Sequence, residues 1–311
     1  MEEHFEVAYS PFDRHLLPEE IKEYAADADV LMTGWAHCML SAEILKGTSI
    51  KITAHTGGSV ADYVEPSVYE TGIRVISGNL LYAESVAEGV IGYMMMALRY
   101  LPENVESVRQ GAWRIPQTNE GLLDQTIGIV GMGTISRFLI SMLKPFRPNL
   151  KIYSGHSIDA AYLQENNAQQ VSLEEIFSTC KIVSLHSALN DRSRGMIGKE
   201  HFDLLQDGAL FLNTARGAII REEEMIAALE ENRFKAVLDV FCKEPLAADS
   251  RLRSLPNVYC TPHVAGPTVD RRPSVVIALG EDLCRYEAGQ TMIHEIAPEI
   301  AKRMTRERTA G

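Results

Sequence analysis

The chain has 311 residues, 46% hydrophobic and 23% charged, and Lys+Arg 30 against Asp+Glu 42 leaves a net charge of −12. Such a length predicts two domains or one large α/β unit, and the composition excludes a disordered chain. A net-negative surface argues against nucleic-acid and anionic-membrane partners.

Short β-like runs alternate with amphipathic stretches almost throughout, the pattern of an α/β protein with parallel sheets. Strands are predicted at 30–32, 50–53 and 73–76, separated by helical stretches around 18–26, 41–46 and 61–71. Pro18-Glu19-Glu20 reads as a helix start, with proline first and acids in the first turn. One long helix is predicted from about Ala83 to Gln110, closed by Gly111. Its Met94-Met95-Met96 run points to three helix faces and so reads as packing rather than as a ligand set. A helix of this length between two strand-rich regions suggests an interdomain or dimer-forming element. After Trp113 and a polar loop at 116–120, a second series of strands is predicted at 126–130, 151–154, 182–186, 210–213, 236–240 and 258–261. The stretch from Arg272 is helical and ends in a charged tail, Lys302 and Arg303 through Arg308, which reads as a solvated, frayed end.

Within the second series, Ile127-Gly128-Ile129-Val130-Gly131-Met132-Gly133-Thr134-Ile135-Ser136 carries an apolar strand into G-x-G-x-x-S and a helix. Gly131 permits a tight turn and Gly133 lets backbone approach a pyrophosphate on the helix N-terminus, while the small Ser136 allows close packing of helix on strand. In its strand–turn–helix setting the motif predicts dinucleotide binding. An acid that holds the adenosine ribose is expected about 20 residues further on. That segment reads Lys151-Ile152-Tyr153-Ser154-Gly155-His156-Ser157, with no Asp or Glu. The usual reason to prefer NAD over NADP is therefore missing. His156 is either a partial phosphate partner or an exposed loop histidine. NAD or NADP is expected, with NADP tolerated.

Three further segments follow apolar strands: Asn213-Thr214-Ala215-Arg216-Gly217, Asp239-Val240-Phe241-Cys242-Lys243-Glu244-Pro245 and Thr261-Pro262-His263-Val264-Ala265-Gly266. In a doubly wound sheet all three lie at the carboxyl ends of neighbouring strands, where ligands bind. Arg216, Glu244 and His263 are thereby brought to one crevice. Alone, each has a structural reading (a sheet-end ion pair, a surface acid, a cap or core histidine); together they read as a site.

This set resembles the D-isomer-specific 2-hydroxyacid dehydrogenase family, which includes D-3-phosphoglycerate dehydrogenase and glyoxylate/hydroxypyruvate reductases. Ala83-Glu84-Ser85-Val86-Ala87-Glu88 resembles the start of its interdomain helix. His55-Thr56-Gly57-Gly58-Ser59-Val60 resembles its substrate-domain glycine loop. Ser136, the missing acid at 156, and Ser187-Ala188 where H-x-P is usual depart from the pattern. Reducing a 2-keto acid leaves an alkoxide that needs a proton, and a histidine with an ordinary pKa near 6.5 suits that task; His263 is the candidate. Glu244 would hold its other ring nitrogen, and Arg216 would clamp the substrate carboxylate through its planar fork. The resemblance further implies that Gly57, Gly58 and Ser59 complete the carboxylate site. It gives Gly131, Gly133, Thr134, Ile135, His156, Thr214 and Gly266 to the cofactor, and Asp239 to the nicotinamide ribose or carboxamide. His37, His55, His186 and His201 have no partner pattern and read as structural.

The expected fold is α/β, two Rossmann-like domains with doubly wound parallel sheets and the active site in the interdomain cleft. Residues 1–82 with 273–311 would form a discontinuous substrate domain, and 83–272 the NAD(P)-binding domain. The expected function is hydride transfer between NAD(P) and a D-2-hydroxy acid/2-keto acid pair by a homodimer. A nucleotide-sensing, corepressor-like binding protein is the alternative. Formate dehydrogenases share the architecture, but there a Gln is expected where Glu244 stands. No apolar run reaches the roughly 18 residues of a membrane span, and the acidic start Met1-Glu2-Glu3-His4 is no signal peptide. Five scattered cysteines without C-x-x-C predict a reducing cytoplasm and no metal site.

Overall fold

The computed structural model of the protein describes residues 4–113 and 119–305. Residues 116–118 of the expected polar loop, and the end of the tail with Arg308, lie outside the described residues. The chain divides into two compact units, Met1–Ala83 with Pro267–Gly311, and Glu84–Gly266.

In chain order the first unit contributes α1 (Pro18–Tyr24), β1 (Val30–Thr33), α2 (Ala42–Leu45), β2 (Ile52–His55), α3 (Pro66–Glu70) and β3 (Arg74–Ser77). Helix α4 (Asn79–Leu98) leads into α5 (Leu101–Arg109), β4 (Thr126–Val130), α6 (Thr134–Leu143), β5 (Asn149–Tyr153), α7 (Ala160–Glu165) and β6 (Ala168–Gln170). Then come α8 (Leu173–Thr179), β7 (Ile182–Leu185), α9 (Lys199–Phe202), β8 (Leu210–Asn213), α10 (Glu222–Glu230), β9 (Lys235–Leu238) and β10 (Val258–Cys260). The chain returns to the first unit with α11 (Arg272–Glu287) and α12 (Pro298–Ala301).

The first unit is built on a parallel sheet of order β1-β2-β3, with Val30, Ile52 and Arg74 in register. One core gathers Ile21, Leu40, Val60 and Val68, and a second sets Ile52, Ala54 and Ile76 against Val275, Leu279 and Leu283 of α11. Local chemistry starts the helices: proline opens α1 and α3, and Ser41 caps α2 by accepting from the Ile44 N–H at 3.3 Å. The returning chain bonds along β3, where Ser77 N–H donates to the His294 carbonyl and Ile296 N–H to that of Val75. Asp282, fully buried, fastens this return by accepting from the Ile293 and His294 N–H groups and the Arg285 guanidinium.

The second unit is a seven-stranded parallel sheet of order β10-β9-β8-β7-β4-β5-β6. Strands β7 and β8 are buried at every residue, as expected when helices cover both faces. One face packs Phe177, Phe202, Phe211 and Phe234; the other packs Met94, Ile127, Leu139, Ile152 and Leu212. Met94 is buried, and Met95 and Met96 pack against that second core, so the methionine run serves packing.

Two elements differ from expectation. The single helix predicted over 83–110 is two helices, parted at Tyr100 in left-handed backbone, φ 52°. Pro102 is the cause, because a continuous helix would require its missing N–H to bond the Leu98 carbonyl. That carbonyl instead accepts from Glu120 N–H at 2.9 Å, and the Ala97 carbonyl accepts from Lys235 Nζ at 2.8 Å. Strand β6 was not predicted: Ala168-Gln169-Gln170 is short, polar and at the sheet edge, so it lacks the apolar signal of a buried strand.

Candidate functional site

The order of the seven-stranded sheet reverses between β7 and β4, and the glycine-rich turn follows β4 at this switch point. Gly131 has φ 103°, and a Cβ there would lie 2.7 Å from the Ser187 nitrogen, so only glycine fits. Gly133 is the N-cap of α6, with extended backbone and no side-chain cap. A Cβ at Gly133 would meet nothing within 4 Å. The open glycine and the uncapped first turn at Thr134 and Ile135 fit a dinucleotide pyrophosphate, which such helix ends attract. Ser136, the departure from the usual third glycine, is fully buried, and its hydroxyl donates to the Gly131 carbonyl at 2.6 Å. It thereby ties the turn together from inside.

The residues that follow β5, Ser154 to Ile158, include no acid. Asp159, the nearest acid, caps α7 by accepting from Tyr162 N–H at 2.9 Å. His156 is exposed in the loop, its N–H donating to Ser154 Oγ at 3.2 Å.

On the other side of the switch point, β8, β9 and β10 carry the three strand-end segments. His263 Nδ1 and Glu244 Oε2 are 2.7 Å apart, and Glu244 Oε1 accepts from Phe241 N–H at 3.0 Å. The carboxylate is thus held at both oxygens. A carboxylate at this distance favours the tautomer that carries its proton on Nδ1, with Nε2 turned away from the pair. His263 stands in left-handed backbone, φ 53°, a conformation uncommon outside glycine and found at functional sites. Arg216 follows β8, and its guanidinium donates to the Ala215 carbonyl at 2.6 Å. Thr214 is buried, and its Oγ1 has no hydrogen-bond partner among the described residues, which suits a polar ligand beside Arg216.

Three residues that shape this arrangement have little sequence signal. Asn213 is fully buried; its Oδ1 accepts from Ala215 N–H at 3.0 Å and its Nδ2 donates to the Arg216 carbonyl at 3.1 Å. An Asn closing an apolar strand before a turn was the available clue. Glu222 accepts from Cys242 N–H at 3.0 Å. Tyr93 of α4 donates to Asp239 at 3.0 Å, and burial, with the Asp239 charge, pushes its phenol up to about 12.

Asp239, expected on the nicotinamide ribose or carboxamide, follows β9. It is buried, and its carboxylate accepts from the Tyr93 and Thr261 hydroxyls and from the Val264 and Ala265 N–H groups, all between 2.7 and 3.0 Å. Its observed partners are therefore protein groups, and what it organises is the 261–265 segment that carries His263. Gly266 closes that segment at the end of the second unit.

Gly57, Gly58 and Ser59 follow β2 in the first unit. Their N–H groups donate to no protein group among the described residues, whereas Ser59 Oγ donates to the Thr305 carbonyl at 2.9 Å. His55 packs beneath them: its ring stacks on Tyr63 at 4.3 Å and its Nδ1 lies 2.9 Å from Thr33 Oγ1. A Cβ at Gly57 would lie 2.5 Å from His55 Nε2, so the loop needs glycine there. Burial and the neighbouring His37 and His15 push the His55 imidazole down to about 4. His186 is likewise buried neutral, bonded to Ser184 Oγ at 2.8 Å. Among the described residues no cluster of His, Cys, Asp and Glu could hold a metal ion, and no helix is long and apolar enough to cross a membrane.

Comparison with known proteins gives this geometry a family. A D-3-phosphoglycerate dehydrogenase of Methanocaldococcus jannaschii is 29% identical over 88% of this chain and 53% of its own length. A hydroxypyruvate reductase of Thermotoga maritima is 29% identical over 86% of this chain and 88% of its own. The apo structure of D-lactate dehydrogenase from Escherichia coli superposes with a TM-score of 0.70 at 25% identity, covering 92% of this chain and 91% of that one. The chain spans about half the length of the first of these relatives and 62% of another, from Bacillus subtilis. Residues 91–265, more than half of the chain, match the family described as D-isomer specific 2-hydroxyacid dehydrogenase, NAD binding domain. With its two α/β units and parallel sheets, the chain belongs to the D-isomer specific 2-hydroxyacid dehydrogenase family.

Proposed function

We propose that the protein is an NAD(P)-dependent D-2-hydroxyacid dehydrogenase that interconverts a D-2-hydroxy acid and its 2-keto acid. The observation that carries this reading is the His263–Glu244 pair at 2.7 Å beside the Arg216 strand end. Bound nicotinamide supplies or accepts the hydride. His263 gives a proton from Nε2 to the carbonyl oxygen as it becomes the hydroxyl, and takes it back in the oxidative direction. Glu244 keeps Nδ1 protonated and stabilises the imidazolium. Arg216 holds the substrate carboxylate with two N–H groups and polarises the adjacent carbonyl. The N–H groups of Gly57, Gly58 and Ser59 complete the carboxylate site. The unit Met1–Ala83 with Pro267–Gly311 is thus read as the substrate domain, and Glu84–Gly266 as the nucleotide domain. Gly131, Gly133, Thr134 and Ile135 take the pyrophosphate, with Thr214, Asp239 and Gly266 on the nicotinamide side.

NADPH is accepted at least comparably to NADH, because Ser154, His156 and Ser157 present no carboxylate to repel a 2′-phosphate. Leu101, Val105 and Val108, exposed at helical spacing on α5, support a homodimer. Five free thiols suit the reducing cytoplasm. A nucleotide-sensing scaffold has no support beside relatives that carry dehydrogenase and reductase names. The test is a panel of 2-keto acids, each with NADH and NADPH, followed by nicotinamide oxidation. Turnover of at least one keto acid is expected, yielding the D-product. A preference for NADH beyond about a hundredfold (~2.7 kcal/mol) would overturn the cofactor assignment.

A further inference from the structure

With no carboxylate at the end of β5 and Asp159 spent on its helix, the shape of the 154–158 loop is left to set what the adenosine ribose meets. That shape is imposed from the neighbouring edge strand. Gln170, the last residue of β6, accepts from Ile158 N–H at 2.9 Å through Oε1. Through Nε2 it donates to the His156 carbonyl at 2.8 Å and to the Ser154 carbonyl at 3.4 Å. One exposed side chain therefore holds three backbone groups of a five-residue loop.

The peptide geometry carries this further. In a trans peptide the carbonyl and the following N–H point in opposite directions, and the Glu244–Pro245 bond is the cis peptide recorded among the described residues. Drawing the Ser154 and His156 carbonyls toward β6 turns the Gly155 and Ser157 N–H groups away from it. Those two donors, with the hydroxyls of Ser154 and Ser157, make a loop face rich in hydrogen-bond donors and free of carboxylates. A 2′-phosphate requires such a face; a plain ribose hydroxyl gains less from it.

We propose that Gln170 is a positioning residue for the 2′-end of the cofactor, and that through the 154–158 loop it sets the ratio of NADPH to NADH affinity. This rests on the cofactor reading above. The experiment measures dissociation constants of NADPH and NADH directly, by calorimetry or nicotinamide fluorescence, for the wild type, Gln170→Ala and Gln170→Glu. Melting temperatures are recorded alongside. Gln170→Ala should weaken NADPH about tenfold and NADH less than about threefold, the loss expected when one loop donor no longer reaches the charged phosphate. Gln170→Glu keeps the acceptor for Ile158 but loses both donated bonds and adds a negative charge, so its NADPH loss should be larger. An affinity ratio unchanged within about twofold in both variants, or equal losses for the two cofactors, overturns the inference. A wild type that rejects NADPH overturns the cofactor reading instead, and a ratio that still moves on Gln170→Ala then supports the positioning role alone.

Discussion

A Cβ at Gly217 would lie 2.0 Å from the Phe241 carbonyl carbon and 2.3 Å from the Cys242 nitrogen. The turns that carry Arg216 and Glu244 are in close backbone approach there. Gly217→Ala should therefore move the two turns apart, destabilise the protein by about 2 kcal/mol or more, and lower kcat/KM by more than tenfold. Urea unfolding and steady-state kinetics check both parts, and wild-type values would show that the turns yield. His263→Ala acts on chemistry alone: kcat should fall roughly 10²–10⁴-fold while NAD(P)H affinity stays within about twofold. Retention of a third of wild-type kcat would remove His263 from the proton-transfer step. Arg216, Glu244 and His263 could be singled out because each lies in a recognisable segment that follows a predicted strand. Asn213, Tyr93 and Gln170 could not, since their work consists of hydrogen bonds to groups whose proximity only the fold creates.

The break between α4 and α5 is an interaction among three elements. Lys235 of β9 donates to the Ala97 carbonyl at 2.8 Å and lies 3.5 Å from the centre of the Tyr100 ring. A cation at a helix C-terminus, paired with a carbonyl and an aromatic face, stabilises the end it covers. Lys235→Met keeps the aliphatic stem but removes the charge and the donor, and should lower the unfolding free energy by about 1–2 kcal/mol. An unchanged urea midpoint would show that Glu120 alone caps the helix. The apolar run through 83–98 made this region legible as helix. The stop was not, because it depends on a single proline at 102 whose consequence is a lost bond rather than a change of pattern. Strand β6 escaped for a related reason, since an edge strand needs few apolar residues.

Each unit carries a buried neutral histidine, His55 in one and His186 in the other, both pushed down to about 4 by burial. The unfolded chain, with histidines near 6.5, binds protons that the folded state refuses. Stability is therefore full above about pH 6.5 and falls as pH drops towards 4, by at most about 3 kcal/mol for each histidine. Unfolding free energies across that range should slope downward on acidification, and His186→Phe should flatten part of the slope. A flat profile for the wild type would mean that neither imidazole stays neutral on titration.

The strand order β10-β9-β8-β7-β4-β5-β6 also separates the protein's two kinds of specificity along the chain. Everything proposed to tell one nicotinamide cofactor from the other lies within residues 149–170. Everything proposed to move the proton lies beyond β7, on strands that never touch β5 or β6. Cofactor preference can therefore be inherited, or transplanted, as a single contiguous cassette. A graft of 149–171 from a relative with an acid at the end of this strand would exchange the electron donor and leave Arg216, Glu244 and His263 in their native surroundings.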